Sequence, residues 1–308
     1  MLLVTGATGY LGATLVALLT ARGLPVRAIV RDPQRGDVLP DGVERVSADL
    51  DDEASIERAV EGCEGVFHMA AALSGGSLED ARRVNVRGTR HLLRAATRAG
   101  VRRVVHTSTS AAIIERSGLT SETARNATAL ADPYSITKTE AEGQVFAAVA
   151  DGLDARIVNV TNAYGPSPRG AHSYNSLFAA AARGEVHEIV DARVGWVLAE
   201  DVALGHLLAY ERGEPGRRYL LCGEVASFPQ VLDTYAELVG SPHRVRALPP
   251  GTTLGDGAPQ YAVRSEVYGK LGPTRVDDGQ ARALGFAPRG LDEGLRLTAS
   301  WLAGGPAA

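Results

Sequence analysis

The first twelve residues bind this chain most tightly to one kind of fold. A short apolar run, LLVT, passes directly into TGATGYLG, where Gly6, Gly9 and Gly12 recur every third residue, and a helical pattern, LGATLVALLTARG, follows at once. A glycine turn between a strand and a helix lets the backbone turn tightly and approach a pyrophosphate, while the free N–H groups at the helix start, around Tyr10 and Leu11, attract the anion.

The same alternation continues along the chain. PVRAIV, VERVSA, GVFHMA, VRRVVHTS and DARIVNV read as strands, separated by amphipathic segments such as VRGTRHLLRAATRAG. Gly23 and Gly100 stand where left-handed helix caps are expected. Strand and helix in alternation predict an α/β protein: a doubly wound parallel Rossmann sheet with a smaller C-terminal substrate-binding region. Pro166, Pro168, Gly170, Pro249, Pro250 and Gly251 interrupt the later pattern. The expected division is residues 1–164 for dinucleotide binding and 165–308 mainly for substrate, with elements near 186–222 as candidates to return to the main sheet.

Composition narrows the partners. A formal net charge of -4 and a pI near 6.0 give no basic field for nucleic acid, and no apolar stretch approaches the roughly 18 residues of a membrane span. Neither a signal peptide nor an anchor is read at the N-terminus, so a cytoplasmic location is expected. Cys63 and Cys222 lie far apart and the histidines never pair as H-x-x-x-H, so no metal is expected. The arginine-rich, lysine-poor composition fits a GC-rich bacterial genome.

The second strand bears on cofactor choice. A free ribose is usually met there by a carboxylate, whereas a 2′-phosphate attracts arginine. Arg31 follows Val30 and reads as a phosphate clamp for NADP(H); the alternative makes Asp32 the ribose carboxylate and the cofactor NAD(H).

Lysine is used only twice, at Lys138 and Lys270, and the first stands four residues after Tyr134 in DPYSITKTEAEG. With 9 tyrosines in 308 residues, chance supplies roughly 0.06 occurrences of Y-x-x-x-K. Pro133 suits the start of a helix that would put both side chains on one face. An ammonium near a phenol favours phenolate, making tyrosine usable in proton transfer near neutrality.

Taken in order, TGATGYLG, SADL, VFHMAA, VNVRGT, VVHTSTSA, PYSITK, NAYGP, AEDVALGH and GLDEGLRLTASWL resemble the extended short-chain dehydrogenases/reductases, the NAD-dependent epimerase/dehydratase family, across the whole chain. VRD, HTST and the length look most like the dihydroflavonol-reductase and cinnamoyl-CoA-reductase branch. The resemblance implies Tyr134 as proton donor or acceptor, Lys138 as the nicotinamide-ribose ligand that lowers the tyrosine's pKa, and Thr109 as the hydroxyl on the substrate oxygen, with Ser108 and then Ser110 as fallbacks. It further implies cofactor contacts from Asp49, Leu50, Met69, Ala70, Ala71, Asn85 and Thr107, and substrate contacts from Asn162 and Tyr164. Tyr174, Phe178, Trp196 and Tyr261 are further candidates for an aromatic wall. DARVGWVLAEDVALGH lacks the glutamine–arginine–aromatic segment by which nucleotide-sugar enzymes of this family handle a diphosphate. The expected activity is therefore NADPH-dependent reduction of a small ketone or aldehyde, in a possible homodimer packed through helices near 86–98 and 134–150. A nucleotide-sugar epimerase or dehydratase is the alternative, and a non-catalytic NADP sensor a third reading.

Overall fold

The structure is a computed structural model describing residues 1–31, 33–73, 77–255 and 257–304. Its first half runs β1 (Leu2–Thr5), α1 (Tyr10–Ala21), β2 (Val26–Ile29), β3 (Glu44–Val46), α2 (Glu53–Val60), β4 (Gly65–His68), α3 (Leu78–Arg82), α4 (Gly88–Arg98), β5 (Arg103–Thr109), β6 (Leu119–Ser121), α5 (Pro133–Ala150) and β7 (Ala155–Val160). There follow β8 (Asn162–Tyr164), α6 (Tyr174–Ala182), β9 (Glu188–Val190), β10 (Arg193–Leu198), α7 (Ala199–Arg212), β11 (Arg218–Leu221), β12 (Glu224–Ser227), α8 (Phe228–Leu238), β13 (Arg246–Leu248), α9 (Gln260–Gly269), β14 (Arg275–Asp277), α10 (Gly279–Ala283) and α11 (Leu291–Leu302).

Seven strands form one parallel sheet in the order β11-β7-β5-β4-β1-β2-β3. The chain winds outward from β1 to β3, then crosses back to β4 on the other side of β1. That reversal opens a crevice at the C-terminal ends of β1 and β4, where such sheets bind ligands. All six strand-like runs of the sequence become strands of this sheet. RYLL, too short to stand out, supplies the seventh by pairing Arg218–Leu221 with Ile157–Val160. Apolar side chains of β1 and β2 alternate between two cores: Val4 and Ala28 pack with α1 and α7, Leu3 and Ile29 with α2 and α4.

The helix ends follow their caps. Gly23 and Gly100 take φ of 71° and 67°, and in each case the next residue's N–H returns to the carbonyl five residues back, Leu24 to Leu19 and Val101 to Ala96. Asp132 caps α5 by accepting the Ser135 N–H at 3.1 Å, with Pro133 in the first turn, and this places Tyr134 at the mouth of the crevice. Between α3 and α4 the helix widens for one π-type turn, Arg83–Arg87.

The C-terminal part carries a third core, built on the small sheet β12-β10-β8 and rich in aromatics. Trp196 lies at its centre, 5.1 Å from Tyr174 and 5.2 Å from Phe228 between ring centroids. No helix among the described residues is long and apolar enough to cross a membrane.

Candidate active site

A cavity of about 710 Å³ runs along the crevice, within the size range of small-molecule sites. At one end stands the glycine turn. Gly6 has φ +64° and approaches Ala70 so closely that a Cβ would meet its N at 2.7 Å; a Cβ on Gly12 would meet the Gly6 carbonyl oxygen at 2.1 Å. The glycines thus let helix α1, the turn and the loop after β4 touch backbone to backbone. Gly9 caps α1 without a side-chain hydrogen bond, leaving the amides of the first helical turn directed to the cavity. That donor set fits a pyrophosphate. Tyr10 donates to the Gly165 carbonyl at 2.8 Å, tying the turn to the substrate side, and burial raises its pKa well above the usual phenol value.

Of the expected cofactor residues, Gly6, Gly9, Tyr10, Leu11, Gly12, Arg31, Asp49, Leu50, Met69, Ala70, Ala71 and Thr107 line the cavity. Asp32 lies outside the described residues. Asn85 does not line it. Its carboxamide accepts from Ala72 N at 2.8 Å and donates to Ala72 O and to Thr137 Oγ1, so it braces the loop after β4 against α5. The wide helical turn at Arg83–Arg87 carries this residue.

Thr5 and His68, which the sequence reading passed over, hold the same loop. Thr89 donates to the Asn85 carbonyl, so its oxygen accepts from His68 Nε2; His68 Nδ1 then accepts from Thr5, whose oxygen receives the amides of Met69 and Ala70. The chain of donors assigns His68 a single neutral tautomer. Burial agrees, pushing its pKa down to about 3.

At the other end Tyr134, Lys138 and Thr109 converge, with both α5 residues facing the C-terminal edge of β5. Burial lifts the Tyr134 phenol to about 12, while the charge of Arg264 and a hydrogen bond with Thr109 pull it back. The cation opposing burial is thus Arg264, where Lys138 was expected. Lys138, 2% exposed, donates to the Thr107 carbonyl at 2.7 Å and lies 3.2 Å from His106 Nε2. Burial brings its own pKa down to about 8.

Ser108 points away from this group. Its hydroxyl donates to Glu142 at 2.5 Å in a buried network with Asn159 and Arg218, because alternation along β5 turns it opposite to Thr107 and Thr109. Ser110 is buried at the start of the short turn that follows β5.

On the substrate side Asn162 lines the cavity; its oxygen accepts from Tyr174 at 3.0 Å and its amide nitrogen is buried without a partner among the described residues. Tyr164 does not line it. The ring lies in the aromatic core, where a Cβ on Gly294 would meet its hydroxyl at 2.2 Å. Phe178 and Trp196 are core as well, whereas Tyr174 and Tyr261 do reach the cavity. The wall is completed by Arg169, His172, Ser173, Gln260, Arg264 and Tyr268, none of which carried a recognisable signal in the irregular last third. Ser173 is the described non-glycine residue with positive φ, 59°.

Residues 2–222 match the family described as NAD dependent epimerase/dehydratase family. The chain belongs to that family. It is 40% identical over 264 residues to "Sterol demethylase protein B" of Methylococcus capsulatus, covering 82% of this chain and 79% of that one. To "Putative dihydroflavonol 4-reductase" of Synechocystis sp. it is 33% identical over 256 residues, covering 80% and 74%. Among solved structures, the UDP-glucose 4-epimerase of Thermus thermophilus in complex with NAD superposes with a TM-score of 0.78 at 27% identity, over 98% of this chain and 99% of that one. The family thus holds both reductases and epimerases of sequence comparable to this chain, and the choice between them turns on the site.

Proposed function

We propose that this chain is an NADP(H)-dependent oxidoreductase that reduces the ketone or aldehyde carbonyl of a small organic molecule. The observation carrying the proposal is the convergence of Tyr134, Lys138 and Thr109 at the end of the cavity opposite the glycine turn. A bound dinucleotide would supply the hydride. In this reading Thr109 hydrogen-bonds the substrate oxygen and Tyr134 delivers a proton to it as negative charge develops. A phenol held at about 12 is fully protonated at neutral pH, as a donor needs. Lys138, fixed by the Thr107 carbonyl and beside His106 Nε2, lines the cavity and would hold a ribose hydroxyl of the cofactor with the N–H left over. Arg31, exposed on the wall beside Ile29, is suited to a 2′-phosphate.

Two features favour a reductase over a sugar-nucleotide enzyme. DARVGWVLAEDVALGH lacks the family's diphosphate-binding pattern, and the similar curated sequences include a reductase.

The test is NADPH oxidation with a panel of ketones and aldehydes, with UDP-glucose alongside. Stoichiometric oxidation, reduced about 10²- to 10⁴-fold in Tyr134→Phe with NADPH binding retained, is expected. Conversion of UDP-glucose without net oxidation would replace the reading with an epimerase. Binding of NADPH with no turnover of any compound, and no effect of Tyr134→Phe, would leave a sensor.

A further inference from the structure

Arg264 on α9 is a half-buried cation whose charge lowers the Tyr134 pKa but whose own hydrogen-bond donors the proposed proton transfer does not use. Its guanidinium lies over the Tyr268 ring, 5.0 Å from the centroid, and one of its N–H groups donates to the Tyr268 hydroxyl at 3.3 Å. This stacking fixes the plane of the fork. Asp132 is the neighbouring carboxylate: its Oδ1 forms a long ion pair with Nη1 at 3.4 Å while also accepting the Ser135 amide at 3.1 Å, and its Oδ2 accepts the Ser135 hydroxyl at 2.7 Å. A guanidinium has five N–H donors, and the described residues occupy one of Arg264's in a hydrogen bond.

Apart from Asp132, which does not line the cavity, the charged residues near it on the substrate-side wall are basic. Arg169 and His172 join Arg264 on the substrate side of the cavity wall. The carboxylates on the wall, Asp49 and Asp51, follow β3 at the nucleotide end, and Asp51 is paired there with Arg83. Desolvation works against the Arg264 charge, yet Tyr268, Tyr174 and Asp132 keep its pKa above the usual value, so it stays protonated at any working pH.

We propose that Arg264 recognises an anionic group of the substrate, a carboxylate carried close to the carbonyl that Tyr134 serves. The substrate class is then an oxo acid, or the corresponding hydroxy acid in the reverse direction. The proposal rests on the reductase reading of Tyr134 and sharpens it. A planar carboxylate matches the free side of the planar fork in a bidentate contact, and the low-dielectric wall strengthens the pair. Asp132 serves as an internal counter-charge that keeps the fork aimed before substrate arrives. Tyr261 and Tyr174 leave an aromatic surface for the body of the molecule.

Two probe pairs test this: phenylglyoxylate and benzoylacetate, each against its methyl ester. Binding is first measured calorimetrically with the NADP-loaded Tyr134→Phe protein, which needs no turnover. Expected is tighter binding of at least one acid than of its ester, with Arg264→Met weakening the acid by about 10- to 100-fold, the loss of a charge-assisted contact. Arg264→Lys keeps the charge without the fork and should recover part of that loss, which separates recognition from misfolding. Turnover by the unmodified protein then separates the two readings. Reduction of esters as fast as acids, or acid binding unchanged in Arg264→Met, overturns the carboxylate proposal while leaving the reductase intact. Acid binding that depends on Arg264 without reduction of any carbonyl compound sustains the anion site and overturns the reductase. Binding of neither acid overturns the carboxylate proposal.

Discussion

The Lys138 ammonium donates to the Thr107 carbonyl oxygen at 2.7 Å, in a setting where His106 offers a further neighbour at 3.2 Å but no carboxylate among the described residues makes an ion pair with it. Burying that charge has a cost that depends on pH. With the pKa lowered from 10.5 to about 8, folded and unfolded chains both hold the proton below about pH 8, and the folded state bears the full penalty. Between about 8 and 10.5 the unfolded chain still binds the proton and the folded one does not, so this residue's contribution to stability rises with pH. Lys138→Met should therefore stabilise the cofactor-free protein at pH 7, relative to the parent, with the advantage shrinking by about 3 kcal/mol as pH approaches 10.5. Urea titrations of both proteins at pH 7 and 10 check it; a pH-independent difference would mean that Lys138 is not a buried charge. Reduction by the parent should fall above about pH 8 for the same reason.

The turn at Gly6–Gly12 is a second place where a single atom decides. Gly12→Ala puts a Cβ 2.1 Å from the Gly6 carbonyl oxygen and 2.8 Å from its carbon, both backbone and unable to swing aside. Overpacking of this kind costs about 1–3 kcal/mol, and the displaced turn should also weaken NADPH binding. Gly9→Ala meets only the Gly6 oxygen, at 3.1 Å, and should cost less stability. Thermal unfolding of the two variants, with and without NADPH, compares them; equal losses would contradict the packing argument.

How much of this could be read beforehand follows from range. The glycine turn, the strand ends and the Tyr134–Lys138 pair depend on neighbours within a few residues, and local spacing exposes them. Asn85 and Tyr164 illustrate the limit: each sits in a motif of the right family, yet its environment is set by Ala72 and Thr137 in one case and by Gly294 in the other. Arg264 and Tyr268 are joined to Tyr134 only through the fold, with no turn or motif to mark them. The seventh strand, Arg218–Leu221, falls in the stretch near 186–222 expected to return to the main sheet, but its own bounds are not legible, because four residues buried between a helix and a parallel neighbour need no alternation of their own.

In the proposed reading, cofactor choice rests on Arg31. Replacing it with Ala should weaken NADPH binding by about 10- to 100-fold, as expected for a hydrogen bond to a charged group, and leave NADH within a few-fold. Fluorescence titration with each dinucleotide measures both. Parallel losses for the two cofactors would show that Arg31 does not distinguish them and would favour NAD(H).

Glu142 and Arg218 form the buried ion pair that holds α5 to the far edge of the sheet. Glu142 Oε2 accepts from Arg218 at 2.7 Å, and Oε1 from Ser108 at 2.5 Å and Asn159 at 2.7 Å; Arg218 also donates to Ala124 O and Asn126. Both carboxylate oxygens and most of the guanidinium donors are therefore met, the condition under which two charges persist inside a protein, although Asn159 Oδ1 beside them is buried with no partner among the described residues. Removing one partner leaves the other uncompensated, so Arg218→Met should cost about 3–5 kcal/mol by chemical denaturation, and Glu142→Gln a comparable amount, since the amide strands the Arg218 charge and puts an N–H donor where the carboxylate accepts from Arg218, Ser108 and Asn159. The double variant should be more stable than the sum of the two single losses, because it strands no charge. Additive losses would show that the two side chains act separately. Ser108 belongs to this network, so Ser108→Ala should lower stability while leaving reduction near the parent rate. Thr109→Val should do the reverse, losing rate with less effect on unfolding.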